Sequence, residues 1–225
     1  MSHLPSLDTL DADGALRDAA ESVGLDRSAF LKRGAVAGGG LIVGSGMFGA
    51  FLSSAEAAIS TTKKSAKNDA KILNYALTLE YLEAAFYNQA VANAAYGNNP
   101  ALKTFAETVA QHETAHVKFL KGALKSAAVK SPTFDFGDTV TDQAKFAATA
   151  QVLEDTGVSA YLGQVKNVFV PGTLAAAATI ATVEARHAAW IRFINAKDLP
   201  APASFDVPKS EKAILKAVGA TGFIK

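Results

Sequence analysis

From about residue 65 onward, apolar side chains recur at spacings of three and four and divide into four long segments. The first, about Ser65 to Ala95, sets Leu73, Leu77, Glu80, Ala84, Tyr87 and Val91 on one stripe. The second, about Ala101 to Ala127, carries Leu102, Phe105, Val109, Glu113, His116, Leu120 and Leu124. A third, about Thr141 to Phe169, aligns Phe146, Ala150, Glu154, Val158, Tyr161 and Val165; the fourth, about Leu174 to Ala196, aligns Ile180, Glu184, His187, Ile191 and Ile194. These spacings are those of amphipathic helices. Gly97-Asn98-Asn99-Pro100 stops the first helix and Pro171-Gly172 separates the third from the fourth, because both stretches favour turns and helix starts. Glutamates and histidines fall inside the apolar stripes, where a plain core would not put them. That break in pattern marks candidate chemistry.

Between the second and third helices lies Val129–Val140, with Phe134 and Phe136 in alternation. About twelve extended residues reach roughly 40 Å, about the length of a 26-residue helix. Such a strap carries the chain from one end of a bundle to the other, so helices two and three are expected to run parallel. The prediction is an all-α fold: a four-helix bundle with a single long crossover between helices two and three, plus a short C-terminal helix near Ser210–Val218 on the outside. The bundle is assigned to residues 58–197 and the tail to 198–225.

Composition agrees. Hydrophobic residues make up 49% of the 225, charged residues 19%, and no stretch sustains the two-residue alternation of strands. A net charge of +1 without a Lys/Arg run gives no nucleic-acid footprint. The absence of cysteine excludes disulfides, thiolate-ligated metals, iron–sulfur clusters and cysteine nucleophiles.

Residues 1–57 differ from the rest. Arg17, Arg27, Lys32 and Arg33 precede the apolar, glycine-rich Gly34–Leu52, and Ala55-Glu56-Ala57 supplies a small-x-small site. Charged, apolar and small-residue regions in that order read as an export signal, which puts the mature protein in the periplasm, envelope or outside of a bacterium. Asp26-Arg27-Ser28-Ala29-Phe30-Leu31-Lys32 resembles the twin-arginine signal, with Ser28 where the second arginine stands. An uncleaved membrane anchor and a cytoplasmic N-terminal arm are the alternatives; the 19 residues of Gly34–Leu52 can just span a bilayer.

The candidate chemistry lies in two Glu-x-x-His steps, Glu113-Thr114-Ala115-His116 and Glu184-Ala185-Arg186-His187. Each follows another glutamate by about a helix length, Glu80 and Glu154 respectively. Residues i and i+3 share a helix face, so each step presents a carboxylate beside an imidazole. Four helices supplying Glu, Glu-x-x-His, Glu and Glu-x-x-His are what a bundle needs to hold two metal ions. Carboxylate and imidazole together suit iron or manganese, with zinc competing on affinity. Neither Glu80 nor Glu154 has a basic residue at i+4 to explain it as a surface pair. Tyr87 and Tyr161 each come seven residues, two helical turns, after Glu80 and Glu154; they are candidates for hydrogen bonding behind the ligands. Glu83 stands open as an extra ligand, a proton relay or a surface residue. Trp190 reads as packing. The two halves echo each other as a duplicated two-helix unit.

Leu79–Tyr87, His112–His116, Leu153-Glu154 and Glu184–His187 resemble the ferritin-like superfamily across about residues 65–197, and in texture its exported bacterial members related to plant desiccation-associated proteins. Many members carry a small residue where Glu83 stands. The resemblance implies a ferritin-like bundle with a di-iron or di-manganese centre, Glu113 and Glu184 bridging, Glu80 and Glu154 terminal, and one histidine on each metal. It implies dioxygen- or peroxide-linked redox or ferroxidase chemistry in stress protection; the alternative is a non-enzymatic structural or metal-storage bundle. Metal ions and dioxygen or peroxide are the expected partners, with a homo-oligomer left open. A remote alternative is a zinc metallopeptidase, since His112-Glu113-Thr114-Ala115-His116 also reads H-E-x-x-H. That reading makes His112 a ligand, whereas a two-metal centre does not require it.

Overall fold

The computed structural model describes residues 58–195 and 199–225; the export-signal-like segment 1–57 lies outside them. Four of the five described α-helices begin at a side chain that satisfies free amides. In α1 (Ala66–Ala92) Ser65 Oγ accepts from the Asn68 amide at 3.1 Å. In α2 (Pro100–Leu124) Asn99 Oδ1 accepts from Ala101 and Leu102, and Pro100 takes the first position, where no amide is needed. Asp142 caps α3 (Gln143–Gln164). Helix α4 (Pro171–Asn195) again opens on proline. The last, α5 (Glu211–Thr221), starts at the Ser210 cap and ends at Gly222 with φ +69°, the left-handed turn that glycine adopts freely.

The third helix stops five residues short of its predicted end at Phe169. Asp69, in the first turn of α1, accepts from the amides of Phe169 and Val170 at 2.8 Å each. Those amides are spent on the carboxylate, and Val165–Asn167 tightens into a 3₁₀ turn.

The ends of the helices fix their directions. Asn74, early in α1, bonds Ala127 and Val129 just beyond α2, so α1 and α2 are antiparallel. Gly97, just beyond α1, approaches Gln143 at the start of α3, so α1 and α3 are also antiparallel. Asn195 at the end of α4 reaches Ala147 and Gln151 early in α3. Helices α2 and α3 therefore run parallel, as the crossover reading requires. The described residues are helical with no named strand, and none of their helices is long and apolar enough to cross a membrane.

The strap tucks its rings as predicted. Phe136 is buried and meets Phe86 edge-on at 5.4 Å, Phe86 stacks on Phe146 at 5.5 Å, and Phe134 is half-buried over Phe136. Their apolar area is what holds an otherwise irregular segment down. The tail is less peripheral than its composition suggests. Phe134 forms a β-bridge with Ile224, and Ile214, Leu215 and Val218 of α5 are buried in the main core. Gly163 allows this docking: a Cβ there would lie 1.8 Å from the Lys209 carbonyl oxygen.

Candidate metal centre

Each of the four long helices turns one glutamate into the centre of the bundle: Glu80 from α1, Glu113 from α2, Glu154 from α3 and Glu184 from α4. All four are fully buried at 0% exposure. His116 and His187 follow Glu113 and Glu184 by three residues and so lie on the same faces. His116 Nδ1 is 3.2 Å from Glu80, 3.2 Å from Glu113 and 3.1 Å from Glu184. His187 Nδ1 is 3.2 Å from Glu113 and 3.3 Å from Glu154.

Two groups of convergent donor atoms result. One comprises Glu80, Glu113, His116 and Glu184, the other Glu113, Glu154, Glu184 and His187, with the atoms of each group within 4.8 Å of one another. Glu113 and Glu184 belong to both. The six residues singled out from the sequence are thus the six brought together, and the cluster can hold a metal ion.

The polar atoms of the site are aimed at a shared centre. Seven buried side-chain polar atoms lack a hydrogen bond among the described residues, and five belong here: Glu113 Oε1, Glu154 Oε2, both oxygens of Glu184 and His187 Nδ1. Several lie close to a partner without the alignment a hydrogen bond needs. Buried polar atoms seldom go unpaired, because desolvation costs about 1–3 kcal/mol each, and more for charged groups. Buried donor atoms that crowd together with too few partners among themselves fit a cation between them.

Electrostatics agree. Burial and then the charge of Glu113 push Glu80 up to about 8. Burial pushes Glu184 well above the usual carboxylate range, with Glu113 adding to it, and raises Glu154 against the pull of His187. Burial also opposes ionisation of Glu113, but His116 and His187 outweigh it and hold this carboxyl down to about 2. Burial opposes protonation of the imidazoles too, yet the surrounding carboxylates lift His116 to about 12 and His187 to about 9. Without a metal, protonated imidazoles are the cations of this site.

Both tyrosines touch the cluster, but crosswise. Tyr87 of α1 donates to Glu154 of α3, and Tyr161 of α3 donates to Glu80 of α1 at 2.5 Å. Each therefore steadies the glutamate of the other half. Trp190 packs edge-on against Phe105 at 5.3 Å.

Two positions break the internal symmetry. Glu83 is 3% exposed, which removes its surface reading, and it lies outside both donor groups. Its counterpart three residues after Glu154 is Gly157, where a Cβ would meet Glu184 Oε2 at 3.2 Å and Glu83 Oε1 at 3.3 Å. The missing side chain is the space the fifth carboxylate occupies. Burial and then Glu184 raise Glu83 well above the usual carboxylate range. The second break is His112. Outside the peptidase reading it had no assigned role, and it belongs to neither donor group. Its Nδ1 lies 2.8 Å from His187 Nε2, and the two rings meet edge to edge with centroids 5.1 Å apart and planes 20° from parallel. Only an unassigned histidine one turn before a Glu-x-x-His residue hinted at this.

A family model described as ferritin-like domain matches residues 68–197, from the first turn of α1 to the end of α4, and takes in every residue of the cluster. No curated protein matches the chain.

Proposed function

Because the chain belongs to the ferritin-like domain family, we propose that its buried cluster holds two metal ions, iron or manganese. Glu113 and Glu184, common to both donor groups, would serve both ions; Glu80 and His116 would hold one, and Glu154 and His187 the other. The observation that carries this reading is the pair of four-residue donor groups with two carboxylates in common. Four ionised carboxylates balance two divalent ions, and neutral imidazoles fill the remaining places, so burial of the charges no longer stands uncompensated. Oxygen-rich ligation with one imidazole per ion suits iron or manganese better than softer metals.

Iron or manganese held there would supply redox chemistry suited to two-electron reduction of dioxygen or peroxide. The chain's own residues supply the setting. Tyr87 and Tyr161 hold the outer glutamates in place, and the aromatic core beneath them keeps bulk water out. His116, with a side chain 12% exposed, is the most accessible of the six. Zero exposure of the four glutamates favours a reactant of two heavy atoms over an organic substrate. We further propose export from a bacterial cytoplasm, on the order of charged, apolar and small residues in 1–57, and a role in oxidative or desiccation stress.

The same burial supports a second reading, a bundle that binds metal for stability or storage alone. Turnover separates them. Protein loaded with ferrous iron should consume dioxygen or peroxide catalytically under the first reading. Under the second it should gain thermal stability on loading and turn nothing over.

A further inference from the structure

We propose that His112 is a positioning residue for His187, and that the two metal positions are for this reason unequal, the one containing His187 binding its ion more tightly and filling first. The inference rests on the two-metal reading above and adds to it an order of occupancy.

The two histidines of the cluster present the same nitrogen inward. Nδ1 of His116 faces Glu80, Glu113 and Glu184, and Nδ1 of His187 faces Glu113 and Glu154. A metal on Nδ1 requires the proton on Nε2. For His187 that N–H has an acceptor, His112 Nδ1 at 2.8 Å, with the rings edge to edge and 20° from parallel. The bond selects the tautomer whose Nδ1 lone pair is free, and, lying in the plane of both rings, it fixes the plane in which that lone pair points. For His116 no described residue hydrogen-bonds Nε2. His112 stands four residues before His116 on α2; the equivalent position before His187 on α4 is Val183, which has no acceptor to offer. The duplicated unit thus carries an orienting imidazole in one half only, and that imidazole reaches across to the ligand of the other half. Partners of this kind are worth 10–100-fold in metal affinity when removed.

The test is an anaerobic titration with cobalt(II) alone, followed by calorimetry and visible absorption, on the full chain and its variants. Wild type should bind two ions in two resolved steps. His112→Phe, which keeps a ring but no acceptor, should weaken the tighter step 10–100-fold and leave the weaker one in place. His112→Asn, whose Oδ1 stands near the position of the lost nitrogen, should restore most of that affinity. His187→Ala should remove the tighter step and His116→Ala the weaker. A second readout is proton NMR of the cobalt protein: the hyperfine-shifted Nε2–H of His187 should exchange with solvent more slowly in wild type than in His112→Phe. The proposal is overturned if His112→Phe leaves both steps and the exchange rate unchanged while Glu113→Ala abolishes binding; the two-metal centre would then stand without it. A wild type that binds fewer than two ions overturns both.

Discussion

Glu83→Gln should make the metal-free protein less sensitive to alkaline pH. Glu83 is buried among four other carboxylates, and its own carboxyl is raised well above the usual range by burial first and Glu184 next. Above the ordinary glutamate range, and up to its own raised value, the folded chain keeps a proton on Glu83 that the unfolded chain has released. Stability changes with pH as the protons bound by the unfolded state minus those bound by the folded state, here about minus one. This contribution is therefore fully present below the ordinary glutamate range and is lost as pH rises, at about 1.4 kcal/mol per pH unit. Against a typical total of about 5–15 kcal/mol that slope is steep. Glutamine has the same shape and no proton to gain or lose. Urea denaturation of chelator-treated protein at pH 5.5, 6.5 and 7.5 would measure it. The variant should gain on wild type with each step up in pH, by up to about 1.4 kcal/mol per unit. A gap that stays constant across the series, or widens toward acid, would refute a proton held on Glu83.

Other consequences can be checked alongside. Metal binding at pH 7 should release at least two protons, from His116 and His187, whose protonated forms are favoured up to about 12 and about 9 in the metal-free site; calorimetry in buffers of different ionisation enthalpy counts them. Tyr87→Phe and Tyr161→Phe should each weaken metal binding by about tenfold or more, by freeing Glu154 and Glu80 respectively, as read from metal titrations. Gly163→Ala should destabilise the fold by several kcal/mol despite a helix-propensity gain of about 1, since its methyl would displace the tail that buries Ile214, Leu215 and Val218. Gly122→Ala in α2 meets nothing within 4 Å and should instead stabilise by up to about 1 kcal/mol in the same denaturation assay.

What was legible in the sequence followed from local periodicity. Stripe residues three and four apart lie on one face whatever that face meets, so the positions of Glu80, Glu113, His116, Glu154, Glu184 and His187 could be read before any neighbour was known. Helix starts were legible for the same reason: Ser65, Asn99-Pro100 and Ser210 act on amides within their own first turn. Features that depend on a second helix were not. Burial of Glu83 depends on Gly157, a residue of α3 whose importance is a missing side chain. His112 finds its partner across the bundle on α4, at no fixed sequence distance. The tyrosines carry the right spacing from their own glutamates yet bond the opposite ones, because a side chain two turns along a helix reaches the facing helix before it reaches back. The tail's docking rests on a backbone contact at Gly163, and glycine in a helix leaves no periodic trace.

The central claim is the paired metal site, and metal content tests it most directly. The purified chain would be loaded anaerobically with ferrous iron, desalted and assayed for metal per chain, beside Glu113→Ala. Two irons per chain in wild type, falling below one when the shared Glu113 carboxylate is removed, is the predicted result. One zinc and no iron, lost in His112→Ala, or no bound metal at all, would contradict it.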